Sequence, residues 1–304
     1  MIPLVIIAGP TASGKTALSV ELAKRLDGEI VSADSMQIYK YMDIGTAKPT
    51  AAERRGIPHH MMDIILPTED FSVADYSSMA HKVIADIHSR GKLPIMVGGT
   101  GLYIDTVADN IVLGEAVGDE KIRAQLEEFA ETNGNAALHK LLEEIDPESY
   151  ENLHENDIKR VIRAIEIYRV TGKTIGEHNR RSRTAPKIYK TVKLAVAWDR
   201  NVLYERINRR VDEMIESGLE KEVRACLELG VTEKNTSMQA IGYKEMLGFI
   251  KGVCTLEEAV DKIKMESRRY AKRQLSWFKR GNIYWLAPRD DIADRAQAVI
   301  RGEL

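Results

Sequence analysis

Cysteine is scarce: only Cys226 and Cys254 occur in 304 residues, and neither lies in a C-x-x-C pair. A disulfide framework is therefore excluded, and two thiols in a reducing cytosol are the expectation. Long apolar runs are missing as well. The N-terminal stretch IPLVIIA is too short to cross a bilayer, and neither a basic flank nor a cleavage site accompanies it. A cytoplasmic protein with no membrane partner is expected. Charge of one sign is also lacking. The formal net charge is −2, which says little about partners because it averages regions of opposite sign. There is no internal repeat and no low-complexity linker. With 44% apolar and 30% charged residues, the composition is that of an ordinary globular chain. Its length suits one large or two modest domains with a buried core.

The elements follow from the hydrophobic spacing. PLVIIAG reads as a buried strand ending in glycine, and KTALSVELAKRL after it has helical spacing. GEIVSADS, KLPIMVGGTG, TVKLAVAWD and NIYWLA read as further strands, with KLPIMVGGTG ending in a Gly-Gly turn. Strands separated by helices predict an α/β fold with a parallel sheet flanked by helices. The charge pattern then marks an interruption. Glu115 to Asp157 carries thirteen acids against three bases, and Ile158 to Arg183 carries eight bases against two acids. With helical spacing and no clear strand, this stretch reads as a helical insertion over 116–184. Residues 1–115 and 185–304 would then form the core with its C-terminal helices. A second basic block, DKIKMESRRYAKRQLSWFKR from Asp261 to Arg280, has eight bases and two acids.

GPTASGKT, residues 9–16, fits the phosphate-cradling pattern G-x-x-x-x-G-K-[ST] through Gly9, Gly14, Lys15 and Thr16. It sits where such a loop works, after a strand and opening a helix, where backbone N–H groups and the helix N-terminus attract a phosphate. Lys15 supplies a point charge, and the Thr16 hydroxyl suits a Mg²⁺ ligand. The dinucleotide fingerprint G-x-G-x-x-G is absent, since Pro10 and Thr11 follow Gly9. An NTPase also needs a strand ending in a Mg²⁺-supporting aspartate. IMVGGTG ends in glycines instead, and Asp199 in AVAWD reads equally well as the start of the next helix. Hydrolysis therefore has little support.

Three residues stand out, two of them at strand ends. Asp34, closing GEIVSAD, is placed either to take a proton from a nucleophile or to cap a turn. Thr100, after Gly98 and Gly99, offers a hydroxyl to a phosphate or nucleophile, or closes a turn. Arg210, on a helix after the Asp199 strand, either clamps phosphate oxygens or is solvated. The adjacent His59 and His60 point apart on a strand and sit badly for chelation on a helix, so they read as structural. The two basic segments suit a nucleic-acid backbone, although each alone also fits a solvated face.

GPTASGKT, SADSMQIY, IGTAKPT, PHHMMD, VGGTGLY, KRVIRAIEIY, NRRVDEM, MQAIGYKE and RRYAKRQLSWF occur in this order from residue 9 to about 278. As a set they resemble the bacterial tRNA dimethylallyltransferases, also called tRNA isopentenyltransferases. The resemblance implies a P-loop kinase-like core and transfer of a dimethylallyl group from dimethylallyl diphosphate to N6 of adenosine 37. The implied acceptors are tRNAs reading codons that begin with U, bound through the anticodon stem-loop. It implies that Asp34 engages the adenine amine and that Thr100 and Arg210 support the diphosphate, these three being the expected catalytic residues. Gly9, Pro10, Thr11, Ala12, Ser13, Gly14, Lys15 and Thr16 would hold the diphosphate, with Mg²⁺ at Thr16. Ser35, Met36 and Gln37 would line the tRNA side with Asp34 and Thr100. Arg123, Ile158, Lys159, Arg160, Val161 and Ile162 would contact tRNA from the insertion. A monomer is expected. The rival occupants of the loop are ATP in a small-metabolite kinase and a prenyl diphosphate in a cytokinin-type enzyme acting on free adenylate. A tRNA-binding protein with a vestigial loop is the non-catalytic alternative.

Overall fold

The apolar runs form one parallel sheet in the computed structural model, which describes residues 1–112, 119–182 and 184–304. Its strands are β1 (Ile2–Ala8), β2 (Gly28–Ser32), β3 (His59–His60), β4 (Leu93–Gly98), β5 (Tyr189–Val196) and β6 (Tyr284–Leu286). They lie in the order β3-β2-β4-β1-β5-β6, and every pairing is parallel. The chain divides into two units, Met1–Ala108 with Lys187–Leu304, and Asp109–Pro186. The second unit begins before and ends after the 116–184 read from the charge blocks. The junction expected at 115/116 lies outside the described residues.

In the first unit, α1 (Lys15–Arg25), α2 (Ala51–Arg54), α3 (Val73–Ser89) and α4 (Gly101–Ala108) connect the early strands. The period-two alternation of β1 splits the core. Leu4, Ile6 and Ala8 pack with Tyr76, Ile84 and Ile104 of α3 and α4, whereas Val5 and Ile7 pack with Leu18 and Leu22 of α1. Both faces are thus covered, which is why β1 reads as a continuous apolar run. Helix α3 starts at a reciprocal capping box between Ser72 and Asp75.

The second unit is helical throughout its described elements: α5 (Glu120–Asn133), α6 (Asn135–Lys140), α7 (Leu142–Ile145), α8 (Pro147–Asn152), α9 (Ile158–Thr171) and α10 (Ile175–Ser182). Its core gathers Leu126, Leu138 and Leu142 around Val161, Ile162 and Ile165 of α9. Back in the first unit, α11 (Arg200–Glu216), α12 (Leu219–Glu228), α13 (Tyr243–Ile250), α14 (Leu256–Phe278) and α15 (Ile292–Glu303) complete the chain. Helices α11 to α14 build a third apolar cluster with Ile38, Tyr39 and Met42, which follow β2. This roofs the carboxyl ends of the strands.

Strand β3 escapes the apolar pattern, being two histidines long. Ile30 and Val31 pair with His59 and His60, and both rings are anchored locally. The His59 Nδ1 lies 2.8 Å from the Ile57 carbonyl, and the His60 Nε2 lies 2.7 Å from Glu29 Oε2. Among the described residues, no helix is long and apolar enough to cross a membrane.

Candidate active site

The loop between β1 and α1 takes its shape from three residues with positive φ: Gly9 at 140°, Ala12 at 59° and Gly14 at 87°. Glycine is suited to two of these positions because it lacks the Cβ that penalises the left-handed region. The loop carbonyls are tied down from within the loop and from outside it. Pro10 accepts from the Lys15 ammonium at 2.5 Å and the Ser13 hydroxyl at 2.8 Å. The Ala12 carbonyl accepts from Arg206 Nε at 2.8 Å, and that of Ser13 from Trp198 Nε1 at 2.9 Å. The Arg206 guanidinium also stacks over the Trp198 ring, 4.4 Å from its centroid. Neither Arg206 nor Trp198 stands out in the sequence, since nothing near either residue refers to a loop far behind it in the chain.

Thr11, Lys15 and Thr16 line one wall of a cavity of about 360 Å³. Asp34, Ser35, Met36 and Gln37, which follow β2, line another, with Gly98 and Gly99 at the end of β4. Arg210 of α11 and Tyr270 of α14 close it. The cavity therefore lies at the carboxyl ends of the strands, beside the central strand β1.

Asp34 closes a turn and also lines the cavity, its Oδ1 accepting the Met36 N–H at 2.9 Å. Its charge is felt by three cavity groups, Lys15, Arg210 and Tyr270. Thr100 closes a turn: its hydroxyl accepts the Ser35 N–H at 3.0 Å, and its own N–H donates to the Ala33 carbonyl at 3.1 Å. It thereby secures the backbone next to Asp34. Gly98 permits this approach, because a Cβ there would lie 2.1 Å from the Ala33 oxygen. Gln37 accepts from the Ser32 hydroxyl at 3.0 Å and donates to the Thr46 and Ala47 carbonyls.

Arg210 is a cavity residue, not a solvated one. Its guanidinium donates to the Ala47 carbonyl at 3.4 Å, and burial lowers its pKa against the opposing pull of Asp34. Lys15 feels the same forces more strongly. Burial first, then the neighbouring Arg210 charge, push its pKa down to about 7, with Asp34 offsetting part of the shift. Tyr270 was missed by residue-level reading. Burial and Asp34 push its phenol up to about 12 against the opposing pull of Thr100 and Gln274, so it stays neutral. A signal existed: Ile263, Ser267, Tyr270 and Gln274 recur at helical spacing and all face the cavity. The charge count of the same segment draws attention to the opposite face, where Lys262, Arg269 and Lys272 are exposed.

Asp199 caps α11, accepting the Asn201 N–H at 2.8 Å, so it begins a helix and is no metal-supporting strand end. Among the described residues no cluster of three or more His, Cys, Asp or Glu side chains is placed to hold a metal. The cavity instead offers the Thr16 hydroxyl at the start of α1 and a single lining carboxylate, Asp34. That sparse oxygen set fits Mg²⁺, which keeps several waters and binds through substrate phosphates.

In the insertion, the helical period of α9 divides residues 158–162. Lys159 and Arg160 are exposed, Ile158 is half-buried, and Val161 and Ile162 belong to the core. The side chains of Val161 and Ile162 are thus enclosed by other insertion helices, which leaves Lys159 and Arg160 as the exposed cations. Arg123 is held by the buried Glu166, with Nε 2.7 Å from Oε1. Burial raises the Glu166 pKa, but hydrogen bonds from Arg163, the Asp119 N–H and Arg123 outweigh it and leave it lowered.

A parallel sheet, a glycine loop between its central strand and the first helix, and a cationic cavity at the strand ends define an α/β enzyme of the P-loop class. Such a site is built around a phosphorylated substrate. The family model described as IPP transferase matches residues 37–281, and the chain belongs to that family. It is 50% identical to the tRNA dimethylallyltransferase of Acetivibrio thermocellus over 284 residues, 93% of this chain and 91% of that one. It is 52% identical to the tRNA dimethylallyltransferase of Caldanaerobacter subterraneus over 281 residues, 91% of this chain and 89% of the other. Among solved structures it resembles the tRNA isopentenylpyrophosphate transferase of Bacillus halodurans, with a TM-score of 0.74 and 46% identity over 100% of this chain and 98% of that one. It also resembles a eukaryotic dimethylallyltransferase acting on tRNA, with a TM-score of 0.81 and 32% identity over 98% and 78% of the two chains.

Proposed function

We propose that this protein transfers a dimethylallyl group from dimethylallyl diphosphate to N6 of adenosine 37 in tRNA. The acceptors are tRNAs reading codons that begin with U. The observation carrying this reading is the division of one cavity into a cationic side, Lys15 with Arg210, and an acid, Asp34, at the other strand end. The cations suit a diphosphate leaving group, and the acid suits the proton of a weak amine. A phosphoryl transferase uses the same two kinds of group, so membership of the IPP transferase family is what favours alkyl transfer.

The chemistry follows from the leaving group. The bond between the allylic carbon and the diphosphate oxygen breaks, its electron pair stays with the diphosphate, and N6 forms the new bond to that carbon. Loop N–H groups, Lys15 and Arg210 stabilise the charge gathering on the diphosphate, and each such preorganised donor contributes about 3–4 kcal/mol. Mg²⁺ held by the Thr16 hydroxyl adds further charge neutralisation when bound. Asp34 accepts the N6 proton, which raises the nucleophilicity of an amine whose lone pair is shared with the ring. General-base assistance of this kind is worth roughly 10²–10⁴-fold.

Adenosine 37 is stacked in the anticodon loop and must be turned out to reach Asp34, at a cost of a few kcal/mol. Cationic residues on the RNA backbone offset that cost, and Lys159, Arg160 and the exposed face of α14 are suited to it. The protein acts as a monomer in the cytoplasm, where its tRNA is. Incubation with tRNA and labelled dimethylallyl diphosphate, followed by nucleoside mass spectrometry, tests the reading. Label should appear as N6-dimethylallyladenosine at position 37. Transfer of phosphate from labelled ATP to a small acceptor, with no prenylated nucleoside, would refute it.

A further inference from the structure

Gln274 lies on α14, is only 5% exposed, and has no part in the chemistry described above. Its Oε1 accepts the Thr11 N–H at 3.0 Å, and its Nε2 donates to the Gly99 carbonyl at 2.9 Å. The partners dictate which end of the amide is which, since a backbone N–H only donates and a carbonyl only accepts. Gly99 has to be glycine for this contact: a Cβ there would lie 2.0 Å from Nε2.

The two partners belong to different halves of the site. Thr11 is in the phosphate loop. Gly99 immediately precedes Thr100, whose hydroxyl holds the Ser35 N–H beside Asp34. Tyr270, one turn earlier on α14, adds a contact with both Thr100 and Gln274. One side-chain amide therefore joins the loop that holds the leaving group to the turn behind the acid.

We propose that Gln274 is a positioning residue that sets the separation between the diphosphate loop and the Asp34–Thr100 side of the cavity. The proposal rests on the prenyl-transfer reading. Its consequence is kinetic. Each half-site keeps its own substrate contacts without Gln274, but the two reacting atoms lose their registration. A misplacement of about 1 Å costs on the order of 10²-fold in rate.

Gln274→Met and Gln274→Glu separate positioning from mere filling of space. Methionine has similar bulk and makes neither hydrogen bond. An ionised glutamate accepts from Thr11 but faces the Gly99 carbonyl oxygen with a second acceptor. A protonated glutamic acid restores both bonds, because its O–H donates to Gly99 while its carbonyl accepts from Thr11. The charged and titratable groups on the same cavity, Lys15, Asp34, His59, Arg210, Tyr270 and Arg273, are identical in the unaltered protein and the two variants. The ratio of variant to unaltered rate thus isolates position 274.

The experiment is single-turnover transfer from dimethylallyl diphosphate to tRNA at saturating substrate, from mildly acidic to mildly basic pH, alongside thermal unfolding. Gln274→Met should lose about 10²-fold in the transfer step with little change in either KM. Gln274→Glu should be slow at neutral pH, and its rate relative to the unaltered protein should climb as the pH falls. A Gln274→Met rate equal to that of the unaltered protein would overturn the proposal. If that variant fails to fold, the Gln274→Glu ratio decides alone, and a ratio flat in pH overturns it. No transfer by the unaltered protein would instead sink the functional reading.

Discussion

Arg210 stands close enough to Lys15 that its charge is the second force, after burial, holding the Lys15 pKa down to about 7. Two cations are thus kept near one another in a cavity lined by one carboxylate, Asp34, with Glu53 and Glu213 acting on Arg210 from outside the lining. The arrangement is costly when empty and favourable when a polyanion enters, which is what a leaving-group site requires.

The first prediction concerns pH. Lys15 in the free protein is charged below about 7 and neutral above it. Diphosphate binding should therefore weaken as the pH rises through about 7, and binding above that value should take up a proton. Titration calorimetry with pyrophosphate in buffers of different ionisation enthalpy measures that uptake. Lys15→Arg should abolish it. The sign for folding is opposite: the unfolded chain binds the extra proton between about 7 and the ordinary lysine value of 10.5, so stability from this group rises with pH there.

Asp34 and Arg210 should separate kinetically. Asp34→Ala should lower the transfer rate by roughly 10²–10⁴-fold while leaving tRNA affinity nearly intact. Arg210→Ala should raise the KM for dimethylallyl diphosphate by about 10- to 100-fold, for a charge-assisted contact of about 1.5–3 kcal/mol. It should also lower the transfer rate, because the charge it meets grows as the bond breaks. Single-turnover rates and a tRNA filter-binding curve distinguish the two. Near-normal turnover in Asp34→Ala would remove the acid from the mechanism.

Glu222 pins the chain opposite Arg210. Its carboxylate accepts the N–H groups of Asp43 and Ile44 at 2.8 Å and of Gly45 at 3.0 Å, and also the Tyr243 hydroxyl. The Ala47 carbonyl that receives Arg210 and Gln37 lies two residues beyond Gly45. Glu222→Ala should cost about 1–3 kcal/mol in urea unfolding, from the amides left unpaired. It should also raise the KM for the prenyl donor. An unchanged urea midpoint would show that the loop holds itself.

Position within α9 should decide what a substitution in the insertion does. Lys159→Ala, at an exposed position, should weaken tRNA binding and lower its salt dependence without moving the melting temperature. Ile162→Ala, in the core, should lose about 2–5 kcal/mol of stability in the insertion. Salt-dependent binding and hydrogen exchange in α9 test the pair. Equal effects from both would contradict the division of the helix into two faces.

Much of the site was legible because its parts are local. GPTASGKT needs only a strand, a tight turn and a helix start, and the neighbouring residues specify all three. Asp34 follows, and Gly98 ends, strands recognisable from their apolar runs. Strand β3 was not legible, since two histidines carry no period, and it exists only because Ile30 and Val31 offer an edge. Val161 and Ile162 share a motif with Lys159 and Arg160, and only the packed helix separates them by face. In α14 the count of basic residues described the exposed side, while the cavity side is defined by Ile263, Tyr270 and Gln274.

The amino-acid sequence by itself determined the parallel α/β class, the phosphate loop, the helical insertion and the family, each through patterns spanning a few neighbouring residues or an ordered set of them. The tertiary structure alone decided which distant groups complete the loop: Arg206 and Trp198 on its carbonyls, Gln274 on its Thr11 amide, and Arg210 beside Lys15. The reason is physical. Thr11 and Gln274 are 263 positions apart, and no periodicity relates them. Their meeting depends on the strand order and on how the roofing helices pack over it.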